Sequence, residues 1–165
     1  MTLIAEQIIA DVKDELPITK VCFLDFDGVI TATHRAFLAK LEYDPVSCMI
    51  LNRGLTEFGY AIVVSSTWRL GESFLTLCTY LRLMGLKVRV HPDFKTTEIY
   101  DKLRGDQIKE WLSRHPEVTD YLIIDDDQDM LESQLDRFIH CDGSEGFGAK
   151  EYKRMKYICS EKEDI

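Results

Sequence analysis

The stretch Val21-Cys22-Phe23-Leu24-Asp25-Phe26-Asp27-Gly28 decides the fold, because an apolar run typical of a buried strand ends there in two aspartates and a glycine. Side chains alternate between the two faces of a strand, so Asp25 and Asp27 are expected to point the same way. Gly28 permits the chain to turn sharply after them. Paired carboxylates in this position suit a divalent metal, although a plain acidic turn is the simpler alternative.

Two further apolar runs end in polar clusters. Residues 60–64 are followed by Ser65-Ser66-Thr67-Trp68-Arg69, and residues 121–124 are followed by Asp125-Asp126-Asp127-Gln128-Asp129. Functional sites of open parallel sheets lie outside the carboxyl ends of the strands. The three clusters are therefore predicted to converge although they are far apart in sequence.

The remaining segments alternate between helical and extended patterns. Asp44 and Pro45 predict the start of a helix that stops at Gly59, and another helix is predicted from about Glu72 to Met84. A helix over residues 105–114, with Trp111 in the core, is flanked by predicted strands at residues 87–91 and 137–141. This alternation predicts an α/β fold, a three-layer Rossmann-like parallel sheet.

Composition favours one domain over the 165 residues: an N-terminal helix in 1–17, a core in 20–148, and a helix and tail in 149–165. The N-terminal helix is expected to pack on the domain, with partner binding as the alternative. The formal net charge of −9 gives no overall electrostatic signature of nucleic-acid binding, although a local basic groove is compatible with it.

The five cysteines are scattered, without the spacing of a zinc site or a disulfide framework, which indicates a reducing cytoplasm. No run approaches the ~20 apolar residues that cross a bilayer, and the first residues lack the basic start and apolar centre of a signal peptide. The protein is therefore expected to be soluble and cytoplasmic, with no membrane partner. Its oligomeric state is left open.

Four elements occur in a telling order: Asp25-Phe26-Asp27, a strand ending at Ser65, Arg104-Gly105 at a helix start, and the pair Asp125-Asp126. This order resembles the phosphatases of the haloacid dehalogenase (HAD) superfamily, with arginine in place of the commoner lysine. Residues 65–69, 104–112 and 115–126 narrow the resemblance to the HAD domain in Swiss Army Knife RNA repair proteins. The similarity covers roughly residues 20 to 148.

The resemblance implies that Asp25 is the nucleophile, forming an aspartyl-phosphate, and that Asp27 is the general acid and base. It also implies Mg²⁺, held by a carboxylate of Asp25, the backbone carbonyl of Asp27, and a carboxylate of Asp126 or Asp125. We expect Asp126 to be the direct ligand. A register that uses Asp125 and Asp129 is the alternative, and a calcium EF-hand is disfavoured by the absence of its alternating ligands.

Phosphate binding is expected from the second polar cluster and from the helix start. Ser65 is preferred over Ser66 as the hydroxyl that holds a phosphoryl oxygen, with Ser66 or Thr67 capping the next helix. Arg104 would neutralise the phosphoryl group, unless it is a solvated surface cation. The expected substrate-binding set consists of Gly28, Ser66 and Arg69, whose planar fork suits phosphate.

The short intervals over residues 28–64 and 68–101 leave no room for a large cap domain, so minimal or no cap is expected. Within the superfamily such openness implies macromolecular phosphorylated substrates, and His34, Arg35 and Phe37 could meet a sugar or base. The leading hypothesis is a phosphomonoesterase that removes a 3′-phosphate from a polynucleotide end during nucleic-acid repair. A nucleotidase or small-metabolite phosphatase and a noncatalytic binding module are the alternatives.

Overall fold

The computed structural model describes residues 16–98 and 102–160. Within these residues five parallel strands form one sheet in the order β3-β2-β1-β4-β5. The strands are β1 (Lys20–Leu24), β2 (Ala61–Val64), β3 (Val90–Lys95), β4 (Asp120–Asp125) and β5 (Phe138–His140). The chain order reverses between β1 and β4, which makes their carboxyl ends the topological switch point of the sheet.

Helices cover both faces of this sheet in the described part of the chain. They are α1 (His34–Ala39), α2 (Pro45–Phe58), α3 (Phe74–Leu83), α4 (Arg104–Ser113) and α5 (Ala149–Ser160), with short 3₁₀ helices at Thr67–Arg69 and Glu132–Arg137. The helix expected near the N terminus and the tail after residue 160 lie almost wholly outside the described residues. None of the described helices is both long and apolar enough to cross a membrane.

The alternation of side chains along β1 separates two hydrophobic cores. Cys22 and Leu24 face a core shared with α2, α3 and α5. Val21 and Phe23 face a second core that contains Trp111 of α4, which is fully buried as predicted. The three-layer α/β architecture expected from the sequence is therefore confirmed.

Capping residues explain why two helices begin and end where they do. The Asp44 side chain accepts hydrogen bonds from the first amides of α2, and Gly59 ends that helix with a φ of 74°. Ser73 caps α3, so this helix begins slightly later than predicted. The free thiols of all five cysteines agree with the expected absence of disulfides.

Strand β3 differs from its predicted position. The prediction placed it at residues 87–91, whereas the structure places it at Val90–Lys95. Pro92, which lacks an amide hydrogen, lies inside the observed strand. Since β3 is an edge strand, it tolerates the missing donor.

Candidate active site at the carboxyl ends of β1, β2 and β4

Asp25 and Asp27 lie at the end of β1 in different surroundings. Asp25 is buried, and its amide donates to the Ile124 carbonyl at 3.0 Å, which continues the pairing of β1 with β4. Beyond it the chain turns tightly, as three successive amides of residues 29–31 donate to the Phe26 carbonyl. Asp27 is exposed. The regular strand ends at Leu24, so Asp25 and Asp27 both follow it, and after burial the Asp27 charge is among the causes that raise the pKa of Asp25.

Arg104, the first residue of α4, bridges two of the buried carboxylates. Its Nη1 lies 3.4 Å from Asp25 Oδ1, and its Nε lies 3.7 Å from Asp125 Oδ2. Nη1 also donates to the Ser65 carbonyl. The side chain is only 12% exposed, so the guanidinium belongs to the site and is not a solvated surface cation.

Three carboxylates form a compact cluster beside this arginine. Oxygen atoms of Asp25, Asp125 and Asp126 all lie within 4.8 Å of one another. Burial raises the pKa of Asp25, against the lowering effect of Arg104, and burial together with the Asp25 charge raises the pKa of Asp125. Burial and the adjacent Asp127 also raise the pKa of Asp126. Burial, together with neighbouring carboxylates, thus disfavours the charged forms of these three groups.

The donor set of this cluster fits a divalent cation. Asp125 Oδ1 accepts from the Asp127 amide at 3.0 Å, whereas the buried Asp125 Oδ2 accepts no hydrogen bond. Buried carboxylate oxygens normally accept a hydrogen bond, whereas Asp125 Oδ2 has only the longer ion-pair contact with Arg104 Nε at 3.7 Å, so this oxygen next to two other carboxylates fits a cation ligand. All three side chains offer oxygen atoms, the ligands that Mg²⁺ prefers.

Two glycines shape the pocket that holds Asp126. A Cβ atom added to Gly28 would lie 2.3 Å from Asp126 Oδ2, and one added to Gly143 would lie 2.6 Å from the same oxygen. Gly28 also has a φ of +73°, in the left-handed region that favours glycine. Gly28 therefore positions the acidic cluster by its lack of a side chain.

Asp129 has a different role from the other acidic residues of its segment. Its Oδ2 accepts from the Arg104 amide at 3.0 Å, and its carbonyl accepts from the Gly105 amide at 3.2 Å. Asp129 thus caps the first turn of α4 and positions Arg104. The geometry favours the register with Asp125 and Asp126 over the alternative with Asp125 and Asp129.

The two serines after β2 differ from expectation in their placement. The Ser65 hydroxyl is completely buried and accepts or donates no hydrogen bond. By contrast, a hydrogen bond from the Ser66 side chain is among the contacts that lower the pKa of Asp25. The Ser66 hydroxyl also accepts from the Trp68 amide at 3.4 Å and so caps the 3₁₀ helix. The geometry therefore favours Ser66 over Ser65 as the hydroxyl beside Asp25.

The setting of Arg69 does not suit the substrate anchor expected from the sequence. Its side chain is buried, and its guanidinium donates to the carbonyls of Ser65, Ser66 and Thr96 at 2.8 to 3.2 Å. It donates further to the Thr97 carbonyl and to Gln107. These bonds link the loops after β2 and β3, so Arg69 is a structural residue that fixes the position of the serines.

A family comparison agrees with this arrangement. The model of the family described as the HAD domain in Swiss Army Knife RNA repair proteins matches residues 21–152. This chain belongs to that family. The matched range contains every residue of the site, and the resemblance drawn from the sequence is confirmed. No curated protein and no solved structure matched the chain.

On the open side of this HAD site, Asp27 is held by two neighbours. Thr31 Oγ1 donates to Asp27 Oδ1 at 2.8 Å, and the Trp68 indole nitrogen donates to Asp27 Oδ2 at 3.1 Å. The sequence prediction gave Trp68 no role. The role of Trp68 depends on the adjacency of β1 and β2, although an indole two residues after Ser66 was a usable signal.

Proposed function

We propose that this protein is a magnesium-dependent phosphomonoesterase that acts through an aspartyl-phosphate. The observation that carries the proposal is the setting of the Asp25 carboxylate, which lies among Arg104, the Ser66 hydroxyl and the Asp125–Asp126 pair. Membership of the HAD family supports it. A buried carboxylate with a cation on one side and an acidic cluster on the other suits attack on phosphorus.

In the first step, an Asp25 oxygen forms a bond to phosphorus as the bond from phosphorus to the ester oxygen breaks. Asp27 gives its proton to the departing oxygen, so the leaving group is released as an alcohol. In the second step, Asp27 takes a proton from water as the water oxygen attacks phosphorus and frees Asp25. The exposure of Asp27 suits this role, since it must meet both the leaving group and water.

The remaining groups stabilise charge on the phosphoryl oxygens. Arg104 and the Ser66 hydroxyl would contact those oxygens during both steps. Carboxylates of Asp25, Asp125 and Asp126, with the Asp27 backbone carbonyl, would hold Mg²⁺. The ion supplies positive charge that neutralises the phosphoryl group and lowers the pKa of the attacking carboxyl.

The substrate we propose is a polynucleotide that ends in a 3′-phosphate. The family description, which refers to RNA repair, supports a nucleic-acid end. The topology supports an open site: only α1 and α2 connect β1 to β2, and one 3₁₀ helix and α3 connect β2 to β3. An open site admits the end of a long chain, which an enclosed cavity would reject.

The test is phosphate release from three substrates: a 3′-phosphorylated oligonucleotide, its 5′-phosphorylated counterpart and a mononucleotide. We expect turnover with Mg²⁺, none with EDTA, and a preference for the 3′ end. Asp25→Asn should abolish turnover, while Asp127→Asn, a matched change in an exposed neighbour, should retain it. Near-normal activity of Asp25→Asn would overturn the mechanism, and turnover of mononucleotides alone would overturn the polynucleotide substrate.

A further inference from the structure

A large groove opens next to Asp27, away from the acidic cluster. Its volume is about 780 Å³. Four aromatic side chains and two carboxylates contribute to its lining, namely Phe37, Tyr43, Trp68, Tyr80, Asp27 and Glu42. The aromatic residues come from α1, the 3₁₀ helix after β2, α3 and the loop before α2, so the groove is assembled from four separate segments.

We propose that this groove binds the nucleobase of the nucleoside that leaves when the phosphate ester is cleaved. The proposal rests on the proposed function, since it extends the same site to its leaving group. The occupant is flat because several aromatic rings line the groove, and bases stack on such rings without regard to sequence.

The charges of the groove indicate a neutral occupant. Among the described residues, its lining includes two carboxylates and no lysine or arginine. A phosphodiester backbone would lie against carboxylates there and be repelled. An uncharged base meets no such penalty, and its amino groups can donate hydrogen bonds to Asp27 and Glu42.

Trp68 joins the groove to the proposed acid. Its indole nitrogen donates to Asp27, and its ring packs edge-on against Phe26 and Tyr80 at centroid distances of 5.5 and 6.0 Å. These contacts fix the indole in place. The ester oxygen that receives a proton from Asp27 must lie close to this carboxylate. The rest of the leaving group, which is bonded to that oxygen, would therefore lie at the groove.

Phe37 gives the sharpest test because its ring is 77% exposed although the residue lies on a firmly held helix. Arg35, on the same helix, donates to Asp44 at 2.9 Å and to the Glu145 carbonyl at 2.6 Å, which anchors α1 on both sides. Leu38, next in the chain, is 67% exposed but lies outside the groove. Truncating either side chain should leave stability nearly unchanged.

The experiment compares Phe37→Ala with Leu38→Ala on two substrates. Adenosine 3′-monophosphate carries a base, and glycerol 2-phosphate does not. We expect Phe37→Ala to lower kcat/KM for the nucleotide about ten-fold, mainly through KM, and to leave the glycerol ester unaffected. Leu38→Ala should change neither. Equal losses on both substrates, or equal effects of the two variants, would overturn the proposal.

Adenosine binding separates this proposal from the proposed function. Stacked adenosine should quench the fluorescence of Trp68, whereas Trp111 is fully buried and should not respond. Quenching by adenosine in the wild type, and its loss in Phe37→Ala, would support base binding in the groove even if no ester is hydrolysed. The absence of hydrolysis would contradict only the proposed phosphatase activity. Hydrolysis without quenching and without a preference for the ester that carries a base would overturn the base-binding proposal, and the phosphatase proposal would be unaffected.

Discussion

Replacing Asp126 with asparagine should abolish the stabilisation of the protein by magnesium. In the wild-type protein without added metal, the carboxylate of Asp126 lies within 4.8 Å of those of Asp25 and Asp125. Two unit charges at that separation repel by about 3.5 kcal/mol at an effective dielectric constant of ~20. Arg104, whose guanidinium faces Asp25 and Asp125, offsets much of this repulsion.

Asp126→Asn should therefore stabilise the metal-free protein modestly, by about 1 kcal/mol, which is a rise in Tm of about 2–4 °C for a chain of this size. With magnesium bound, the wild type should instead be the more stable of the two proteins. At one hundred times its Kd, a cation that binds only the folded state contributes about 2.7 kcal/mol, equivalent to about 5–11 °C. The wild type should gain this shift, and Asp126→Asn should gain almost none.

The assay is thermal unfolding followed by circular dichroism at pH 7.5, in EDTA and in a magnesium titration. Asp127→Asn is the matched control, because Asp127 is the exposed neighbour of Asp126 and lies outside the cluster. It should respond to magnesium as the wild type does. If magnesium raises the Tm of wild type and Asp126→Asn by the same amount, the assignment of the cluster as a cation site is refuted.

Two further variants test residues that border the site. Trp68→Phe removes the indole hydrogen bond to Asp27, and we expect kcat to fall about ten-fold with little change in Tm; an unchanged kcat in steady-state phosphate release would contradict this. Asp44→Asn should cost about 1–3 kcal/mol at pH 7 in urea unfolding. Burial raises the pKa of Asp44, but hydrogen bonds from Thr33 and Ser47 outweigh it and hold the pKa below its ordinary value. This stability is present at neutral pH and lost as pH falls through the lowered pKa, so the two proteins should converge in acid, and a constant difference would argue against it.

The sequence predicted the parts of the fold that depend on local pattern. The apolar runs before Asp25, Ser65 and Asp125 became three adjacent strands, and their shared direction brought the polar residues after them together. Periodicity and turn residues were sufficient for this, because parallel strands between helices leave few arrangements. The observed β3 runs through Pro92, which its edge position permits but which the local pattern did not indicate.

The finer roles depend on side-chain direction after a strand has ended, which sequence periodicity does not describe. Ser65 and Ser66 are chemically identical, and only the backbone turn decides which hydroxyl lies beside Asp25. Arg69 carries a phosphate-binding group, yet its guanidinium donates to the backbone carbonyls of Ser65 and Ser66. Tertiary packing therefore decides whether such a guanidinium binds a ligand or the backbone.

Charge balance gives the strongest reason to regard the acidic cluster as a cation site. Three carboxylates face one guanidinium, which leaves two negative charges uncompensated in a mostly buried region. A network that served only the fold would be expected to pair its charges, since uncompensated buried charge is costly. The excess equals the charge of one divalent cation, and Gly28 and Gly143 keep the third carboxylate close where any side chain would displace it. Burial, and after it the neighbouring carboxylates, raises the pKa values of these groups, and a bound cation would act in the opposite direction.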